Sequence, residues 1–429
     1  MNVDIITMGC SKNLVDSERL MRLFADQGLR VFHNPERTHG GVAVVNTCGF
    51  IEAAKQESID AILDLCNRKE TGDLKGVYVM GCLSQRYREE LAQEIPQVDK
   101  FYGKFDWQQL IEDLCGTQPA ANICGRRLLS TPSHYAYVKI AEGCDRHCAY
   151  CAIPLITGRH RSRTIEDIVE EVSELARNGV KEFQIIEQEL TYYGVDLYGK
   201  SKIAELVERL SDVEGAEWIR LHYAYPNGFP RDLLRVMRER ENVCKYLDIA
   251  LQHASDNVLQ RMRRHTTKAE TERLLGEIRD AVPDIALRTT MMVGFPGESD
   301  EDFEELLQFV EAQRFERLGA FAYSEEEGTY AAEHYANNVP NSVKQQRLDT
   351  LMELQRGISE AHNTSLVGRD LRVIIDRKED DFYIGRTQFD SPDVDGETLI
   401  SLQKPLEIGQ FYTAHITSAD EYDLYGDII

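Results

Sequence analysis

The sequence predicts an α/β chain in three parts: an amino-terminal doubly wound parallel sheet, a central partial barrel of six β/α units, and a small antiparallel carboxyl-terminal β-barrel. Three observations support this prediction. Short apolar runs alternate with amphipathic stretches up to about residue 115, six strand-like runs recur between residues 135 and 324, and short strands with turn residues close the 429-residue chain. Alternating strands and helices indicate parallel sheets, and closely spaced short strands indicate a barrel.

In the first segment, three apolar runs each precede an amphipathic stretch. The runs are IITMG, VAVVNT and VYVMG, and the predicted helices begin at Val15, Ile51 and Ser84. This repetition predicts a parallel sheet with helices on its faces, and we assign it to residues 1-120. Residues 116–134 are rich in Gly, Pro, Ser and Thr and therefore predict a linker.

The central segment, residues 130-362, contains six strand-like runs separated by predicted helices. The runs are AYVKIAE, EFQIIEQ, WIRLHYAY, YLDIALQH, IALRTTMMVG and RLGAFAYS. Six units predict an open, partial barrel rather than a closed eight-fold one. Thr164 is a predicted amino-terminal cap, because it directly precedes an apolar helical stripe.

The last segment, residues 363-429, predicts a small β-barrel of five short strands. The strands are LRVIID, FYIGR, TLISL, FYTAHITSA and DLYGDII. This segment has six Lys or Arg against fourteen Asp or Glu, a net charge of −8, and the whole chain carries −24. Such acidity disfavours nucleic acid and favours a basic partner, although it can also serve solubility alone.

Composition also predicts the compartment. No stretch approaches the roughly 20 apolar residues of a membrane span, so we expect no membrane contact. The start, MNVDIITMGC, lacks the basic region and long apolar run of a signal peptide. Ten cysteines are too sparse for a disulfide scaffold in a chain of this length. We therefore expect a cytoplasmic protein with free thiols.

The run EGCDRHCAYC places three cysteines in a C-x3-C-x2-C array, directly after the first barrel strand. Barrel active sites lie at this carboxyl end of the strands. The thiols of Cys144, Cys148 and Cys151 are one short of the four that fully ligate a 4Fe-4S cluster, so one iron would stay open. The alternative is a zinc site completed by His147, but Tyr150 between the last two thiols and the barrel that follows favour the cluster.

A second cysteine set lies in the first segment, where Cys10, Cys48 and Cys82 each follow a predicted strand. Ligands of open parallel sheets gather at the carboxyl ends of strands, so these three thiols can meet in one site. Three thiols again predict a cluster with one open iron. Each cysteine alone could equally be a small buried residue. Burial is what we expect of the four remaining cysteines, Cys66, Cys115, Cys124 and Cys244.

The C-x3-C-x2-C array with an aromatic residue before its third cysteine resembles the signature of the radical S-adenosylmethionine superfamily. This resemblance implies that S-adenosylmethionine binds the open iron and that Tyr150 lies against its adenine. It also implies a cofactor pocket that includes Gln188, Glu189, Gln252, Arg288 and Gly294. Glu189 and Arg288 could instead be solvated strand ends, and Gly294 with Gly297 could serve only the turn before the next helix.

Two cysteine triads, a barrel and a terminal β-barrel in this order resemble the methylthiotransferase family, whose terminal module is called TRAM. One branch modifies an adenosine of tRNA, and the other an aspartate of the twelfth small-subunit ribosomal protein. Five sequence motifs are similar to those of the second branch: GCSKNLVDSE, VNTCGFIEAAKQES, HYAYP, YLDIALQHAS and EYDLYG.

The resemblance implies two 4Fe-4S clusters, S-adenosylmethionine, a basic ribosomal protein as substrate, and an electron donor such as flavodoxin or ferredoxin. The expected reaction adds a methylthio group to the β-carbon of the aspartate. The alternatives are the tRNA branch and a non-catalytic iron-sulfur carrier.

Three residues depart from the family's pattern. Thr157 stands where arginine is common, Glu187 where a small residue is common, and Ala250 where proline is common. None is a predicted cluster ligand. If Glu187 points inward, its carboxylate would change the charge beside the radical site and alter the binding of the cofactor.

Overall fold

The first domain of the computed structural model, which describes residues 1–117 and 127–429, is a five-stranded parallel sheet. Its spatial order is β2-β1-β3-β4-β5, so the chain starts inside the sheet and winds outward in both directions, as predicted. The elements are β1 (Asn2–Thr7), α1 (Ser11–Asp26), β2 (Arg30–His33), β3 (Val42–Thr47), α2 (Glu52–Glu70), β4 (Gly76–Gly81), α3 (Cys82–Glu94), β5 (Lys100–Phe101) and α4 (Trp107–Cys115).

Residues 118–126 lie outside the described residues. They include Cys124, for which we expected burial, and part of the predicted linker.

The central domain is a six-stranded parallel sheet in the order β13-β12-β11-β10-β9-β6, which confirms the six predicted strands. Within the described residues β6 and β13 do not pair, so the barrel stays open. The strands are β6 (Tyr135–Lys139), β9 (Glu182–Ile186), β10 (Trp218–Ala224), β11 (Val243–Ile249), β12 (Ala286–Val293) and β13 (Arg317–Ala322), with a short antiparallel pair β7 (Ala141–Glu142) and β8 (Arg161–Ser162).

Helices cover the outer face of this sheet and bury an aliphatic core against it. The first long helix shows the predicted cap, because the Thr164 hydroxyl accepts a hydrogen bond from the Asp167 amide. The helices are α5 (Ile153–Thr157), α6 (Ile165–Arg177), a 3₁₀ helix (Leu190–Tyr192), α7 (Val195–Tyr198), α8 (Ile203–Ser211), α9 (Asp232–Glu239), α10 (Asp256–Arg261), α11 (Lys268–Ala281), α12 (Asp300–Gln313), α13 (Tyr330–His334) and α14 (Asn341–Ser365).

The last domain is a closed five-stranded barrel, as predicted. Its strands are β14 (Asp370–Lys378), β15 (Phe382–Thr387), β16 (Thr398–Ser401), β17 (Phe411–Ala419) and β18 (Leu424–Ile428). We expected an antiparallel barrel, but one pair of neighbouring strands, β16 and β18, runs parallel. The chain reverses twice between these strands, so β18 returns in the direction of β16.

The terminal barrel packs against the amino ends of the central strands through buried ion pairs. Glu182, the first residue of β9, accepts hydrogen bonds from Arg220 of β10 at 2.9 Å and from Arg386 of β15 at 2.7 Å. All three side chains are buried. The terminal barrel therefore lies at the end of the central sheet opposite to the cysteine loop, which follows the carboxyl ends of the strands.

The first domain packs beside β6 through α1. Asp16 of α1 pairs with Lys139 of β6, and Glu18 accepts a hydrogen bond from Arg127 at 3.1 Å. The first contact brings α1 close to the carboxyl end of β6, and the second joins α1 to the segment that precedes β6. Across the described residues, no helix combines the length and apolar character needed to cross a bilayer.

Candidate active site

The barrel cysteine loop follows β6 and β7 at the carboxyl end of the sheet. The thiols of Cys144, Cys148 and Cys151 lie near one another, since Cys148 raises the pKa of Cys144 and both raise the pKa of Cys151. Burial is the larger cause, and the pKa of Cys144 is raised to about 12. Partly buried thiols suit metal ligation, because a bound metal ion removes the thiol proton.

A single-ion site is not formed by this loop. His147 is exposed, with φ of 51°. Within residues 1–117 and 127–429, no three His, Cys, Asp or Glu side chains are arranged as ligands of one metal ion. The zinc alternative requires such an arrangement, whereas a 4Fe-4S cube holds its thiolates farther apart. The donor set therefore fits a cluster with one open iron.

Arg264 covers the barrel cysteine loop. Its guanidinium donates to the Cys148 Sγ at 3.4 Å and to the Tyr150 hydroxyl at 3.3 Å. It also lies over the Tyr225 ring, 4.1 Å from the centroid, and the Tyr225 hydroxyl donates to the Arg264 carbonyl at 2.8 Å. Burial holds the pKa of Tyr150 well above its ordinary value. A buried cation thus contacts a thiol that would become a cluster ligand.

The first-domain cysteines also converge. Cys10 precedes α1, Cys48 follows β3, and Cys82 is the first residue of α3. A Cβ atom on Gly9 would stand 2.7 Å from the Cys48 Sγ, so only glycine allows this approach beside Cys10. The pKa of Cys82 is raised to about 12, mainly by burial and in part by the thiols of Cys10 and Cys48. The predicted triad is therefore brought together at the carboxyl edge of the sheet.

A chain of hydrogen bonds runs from the first-domain cysteines to Gln188, which follows β9 at the carboxyl end of the central sheet. Its links include Cys82 to Asn13 at 3.5 Å, Lys104 to Asp16 at 2.8 Å, Lys139 to Glu142 at 2.7 Å and Gln188 to Glu142 at 2.6 Å. The two carboxylates and two ammonium groups in it balance, which lets them be buried between the domains. The network fixes the first-domain triad over the mouth of the barrel.

Two predicted cofactor residues carry buried oxygen atoms without a partner. Gln188 follows β9 and Gln252 follows β11, and the Oε1 atom of each forms no hydrogen bond with the described residues. Gln252 has a left-handed backbone, with φ of 74°, and its carbonyl accepts from the Met292 amide at 2.7 Å. Buried polar atoms rarely stay unpaired, so these oxygens suit hydrogen bonds to a bound ligand.

Glu189 and Gly294 also lie at strand ends, but both have partners. Glu189 accepts from Arg146 at 2.8 Å and from the Thr191 amide at 2.9 Å. It is buried rather than solvated. The Gly294 amide donates to Glu298 at 2.7 Å, with φ of 72°, which fits the turn that we gave as its alternative role.

Arg288 lies elsewhere than expected. It is inside β12, five residues before the end of that strand at Val293, which corresponds to about 16 Å along the strand. Its guanidinium pairs with Asp248 at 3.2 Å and with Asp395 of the terminal domain at 3.3 Å. The structure therefore places Arg288 in the contact with the terminal barrel, not beside the cysteine loop.

Glu187, one of the departing residues, points inward. Its side chain is fully buried, its two carboxyl oxygens have no hydrogen-bond partner among the described residues, and His160 Nδ1 lies 3.7 Å away. Burial, together with the charges of Glu189 and Asp196, holds the pKa of Glu187 well above its ordinary value. Burial therefore favours the uncharged form of this carboxyl beside the cysteine loop.

The other two departing residues have structural partners. The Thr157 hydroxyl donates to the Ile153 carbonyl at 3.1 Å, and the Ala250 carbonyl accepts from Arg264. Among the cysteines outside the triads, Cys66 and Cys244 are buried as expected, whereas Cys115 is only partly buried.

Family models match three segments of the chain. Residues 138–310 match the Radical SAM superfamily, residues 367–429 match the TRAM domain, and residues 2–103 match "Uncharacterized protein family UPF0004". Together these segments contain both cysteine triads and the terminal barrel.

Curated relatives match the chain over its whole length. Proteins named "Ribosomal protein uS12 methylthiotransferase RimO" are 60% identical in Bacteroides thetaiotaomicron, 59% in Porphyromonas gingivalis and 49% in Cytophaga hutchinsonii. Each match covers 100% of this chain and 98 to 99% of the relative. The chain belongs to the RimO family. It is a radical S-adenosylmethionine methylthiotransferase, as the sequence predicted.

Solved structures support the fold of this RimO-family chain. The methyltransferase TsrM from Kitasatospora setae, with cobalamin and a [4Fe-4S] cluster bound, superposes with a TM-score of 0.57 at 14% identity, covering 77% of each chain. The radical enzyme OxsB superposes with a TM-score of 0.52 at 14% identity, covering 83% of this chain and 56% of its own. The superfamily implies one 4Fe-4S cluster and S-adenosylmethionine.

Sequence reasoning missed several residues of this RimO-family site. Two of them stood inside runs that we read only as motifs of the family, GCSKNLVDSE and HYAYP. They are Lys12, whose Nζ lies 3.2 Å from the centroid of the Tyr223 ring of β10, and Tyr225, which contacts Arg264. Arg264 stands in the basic run RMRRH, which by itself indicates a solvated charge. Only the fold shows that its side chain is buried against Cys148.

Proposed function

We propose that this enzyme adds a methylthio group to the β-carbon of an aspartate in ribosomal protein uS12. The observation that carries the proposal is the likeness over the full length, at 58 to 61% identity, to relatives named as uS12 methylthiotransferases. The two cysteine triads on one side of the barrel support it, because sulfur insertion needs a sulfur source next to the radical. We further propose that the enzyme acts in the cytoplasm and is reduced by a flavodoxin or ferredoxin.

In this proposal the six triad cysteines hold two 4Fe-4S clusters. When bound, the barrel cluster with S-adenosylmethionine supplies a radical that abstracts hydrogen, and the first-domain cluster supplies the methylthio sulfur. The thiols of each triad leave one iron open. The unpaired oxygens of Gln188 and Gln252 accept hydrogen bonds from the cofactor, and Tyr150 lies beside it. Arg264 holds Cys148 and excludes water from the loop.

The charge of the terminal barrel favours a basic protein as partner. Part of its acidity is used internally, because Asp376, Asp390 and Asp395 are paired with arginines. Asp380 and Asp381 remain exposed in the turn between β14 and β15. Exposed carboxylates steer a basic ribosomal protein toward the enzyme and repel the phosphates of tRNA.

The test is anaerobic. We would reconstitute the clusters, add S-adenosylmethionine, a reductant and purified uS12, and look by mass spectrometry for a methylthio adduct on an aspartate. We expect the adduct with wild-type enzyme and none with Cys10→Ala or Cys148→Ala. Cys244→Ala is the matched control, because Cys244 is buried outside both triads and should leave the adduct unchanged.

Other outcomes identify the alternatives. Deoxyadenosine without an adduct on uS12 would retain the radical enzyme and reject this substrate, and a methylthio adduct on the anticodon loop of a tRNA would then assign the other branch. Intact clusters that neither bind nor cleave S-adenosylmethionine would indicate an iron-sulfur carrier.

A further inference from the structure

Lys12 reaches from the first domain into the mouth of the barrel. It is the second residue of α1, two positions after Cys10, and its Nζ lies 3.2 Å from the centroid of the Tyr223 ring. Tyr223 belongs to β10 near its carboxyl end and has a left-handed backbone, with φ of 65°. This conformation is strained for a bulky residue, so the fold maintains the ring position against strain.

The ammonium of Lys12 has no anionic partner among residues 1–117 and 127–429. The neighbouring lysines Lys104 and Lys139 both pair with Asp16, whereas no carboxylate of the described residues lies within 4.0 Å of the Lys12 Nζ. A partly buried cation normally has a counterion, because leaving water is otherwise unfavourable. The aromatic ring below Lys12 compensates only part of that cost.

The groups around Lys12 supply no compensating negative charge. Burial holds the pKa of Glu187 well above its ordinary value and the pKa of His222 well below its ordinary value, which favours the uncharged form of each. Both groups interact with the charge of Lys12. Glu189 is already paired with Arg146, and Asp248 with Arg288. Within the described residues the Lys12 ammonium is thus a positive charge without a paired carboxylate, as is Arg264, but Arg264 is held by the Cys148 thiol and the Tyr150 hydroxyl.

We propose that Lys12, held by the ring of Tyr223, binds the carboxylate of the target aspartate. This inference rests on the proposed function, which makes that aspartate the substrate. A carboxylate placed over the ammonium provides the missing counterion. The β-carbon that reacts is bonded directly to the carboxyl carbon, so fixing the carboxylate also fixes the reacting C–H bond. Cα atoms two residues apart are separated by at most about 7 Å, which puts this anchor beside Cys10 of the sulfur-bearing triad.

The experiment uses the reconstituted full-length enzyme and two forms of uS12. The mass spectrum of the wild-type product locates the target aspartate, and the second form of uS12 carries Asp→Asn at that position. We would measure the dissociation constant of each form, and the KM and kcat for the aspartate form. We expect wild-type enzyme to bind the aspartate form about 10-fold tighter than the asparagine form, and Lys12→Met to bind both forms equally.

Three measurements separate substrate binding from a structural role. Lys12→Met should keep its iron content and its rate of deoxyadenosine formation without uS12, and Lys12→Arg should regain most of the preference for aspartate. Lys75→Met is the matched control, because Lys75 is an exposed lysine of the same domain. A raised KM for S-adenosylmethionine in Lys12→Met would assign the ammonium to the cofactor carboxylate and overturn the inference.

Equal loss of affinity for both forms of uS12, or loss of clusters in Lys12→Met and Lys12→Arg alike, would also overturn it. Absence of an adduct with wild-type enzyme would overturn the proposed function itself. An adduct with wild-type enzyme but no difference between the aspartate and asparagine forms would overturn only the role of Lys12.

Discussion

The two ends of the central barrel both bury charged side chains, but they do so differently. At the amino ends of the strands, Glu182 is held between Arg220 and Arg386, and Asp390 pairs with Arg317. At the carboxyl ends, the oxygens of Glu187, Gln188 and Gln252 include atoms that no described residue bonds. Lys12 stands there over the Tyr223 ring, and no carboxylate of residues 1–117 or 127–429 lies within 4.0 Å of its Nζ.

The amino ends of the central strands thus contribute to stability, whereas the carboxyl ends contribute to function. We call the amino ends of the central strands the lower end of the barrel and the carboxyl ends its upper end. A buried ion pair is neutral only while both partners are present, so the ion pairs at the lower end require the terminal barrel to be docked. Unpaired buried groups are unfavourable in the free protein and become favourable when a ligand supplies the missing partner. The lower end of the barrel therefore holds the domains together, and the upper end is prepared for a cofactor and a substrate.

The largest expected effect is at the lower end. Glu182→Gln leaves Arg220 buried without a carboxylate and Arg386 with only Asp376. We expect the free energy of unfolding to fall by about 3–5 kcal/mol. Denaturant unfolding followed by fluorescence measures this change.

A second interdomain ion pair is the matched control. Glu217 and Arg372 also join the central and terminal domains, at 2.6 Å, but both side chains are nearly half exposed. Glu217→Gln should lower the free energy of unfolding by only about 0–1 kcal/mol. Equal losses from the two substitutions would show that the buried network is not what holds the terminal barrel.

The next effect is a dependence on pH. Asp376 is buried, which alone would raise its pKa, but Arg386 and His134 lower that pKa to about 2. A carboxyl with a lowered pKa stabilises the fold fully above its unfolded value, and the contribution disappears as the pH falls from about 4 to about 2. We expect Asp376→Asn to cost about 2 kcal/mol at pH 6 and little near pH 2.

Unfolding free energies of the wild type and Asp376→Asn across this range measure the effect. Asp380→Asn is the control, because Asp380 is an exposed carboxyl of the same barrel. A wild-type advantage that stayed constant down to pH 2 would contradict the assigned ion pairs.

At the upper end, Arg264 should tune the barrel cluster. Its guanidinium contacts the Cys148 Sγ at 3.4 Å and places a positive charge beside it. Hydrogen bonds to ligand sulfurs and nearby positive charge stabilise the reduced cluster. We expect Arg264→Gln to shift the reduction potential of that cluster by about 60 mV to more negative values, tenfold in the one-electron equilibrium. Potentiometric titration followed by electron paramagnetic resonance measures this, with the exposed neighbour Arg263→Gln as control.

Much of the fold could be predicted because its signals are local. The six central strands follow from apolar runs, and the cap at Thr164 follows from one hydroxyl before an apolar stripe. The parallel pairing of β16 with β18 could not be predicted, because short strands carry no signal for the order in which they close a barrel.

The site was predictable where residue type and spacing carry chemistry, as in the two cysteine triads. The family resemblance placed Arg288 in the cofactor pocket. In the structure β12 begins two residues before Arg288, so Arg288 lies near the amino end of the strand, and its side chain turns toward Asp395. Lys12 and Arg264 were missed because a single charged residue usually indicates solvent exposure. Their partners, Tyr223 and Cys148, are far away in the sequence.

The smallest expected effect concerns Glu187 and sharpens the contrast between the two ends. If its buried carboxyl is neutral, Glu187→Gln replaces one neutral group by another of the same shape. We expect the KM for S-adenosylmethionine, measured as deoxyadenosine formation without uS12 at pH 7, to change less than about 2-fold. A charged carboxylate would instead oppose the carboxylate of the cofactor, and its removal would lower that KM several-fold. The same substitution at Glu182 removes a charge that two arginines require, so one pair of variants distinguishes a neutral acid at the upper end from an ionised one at the lower end.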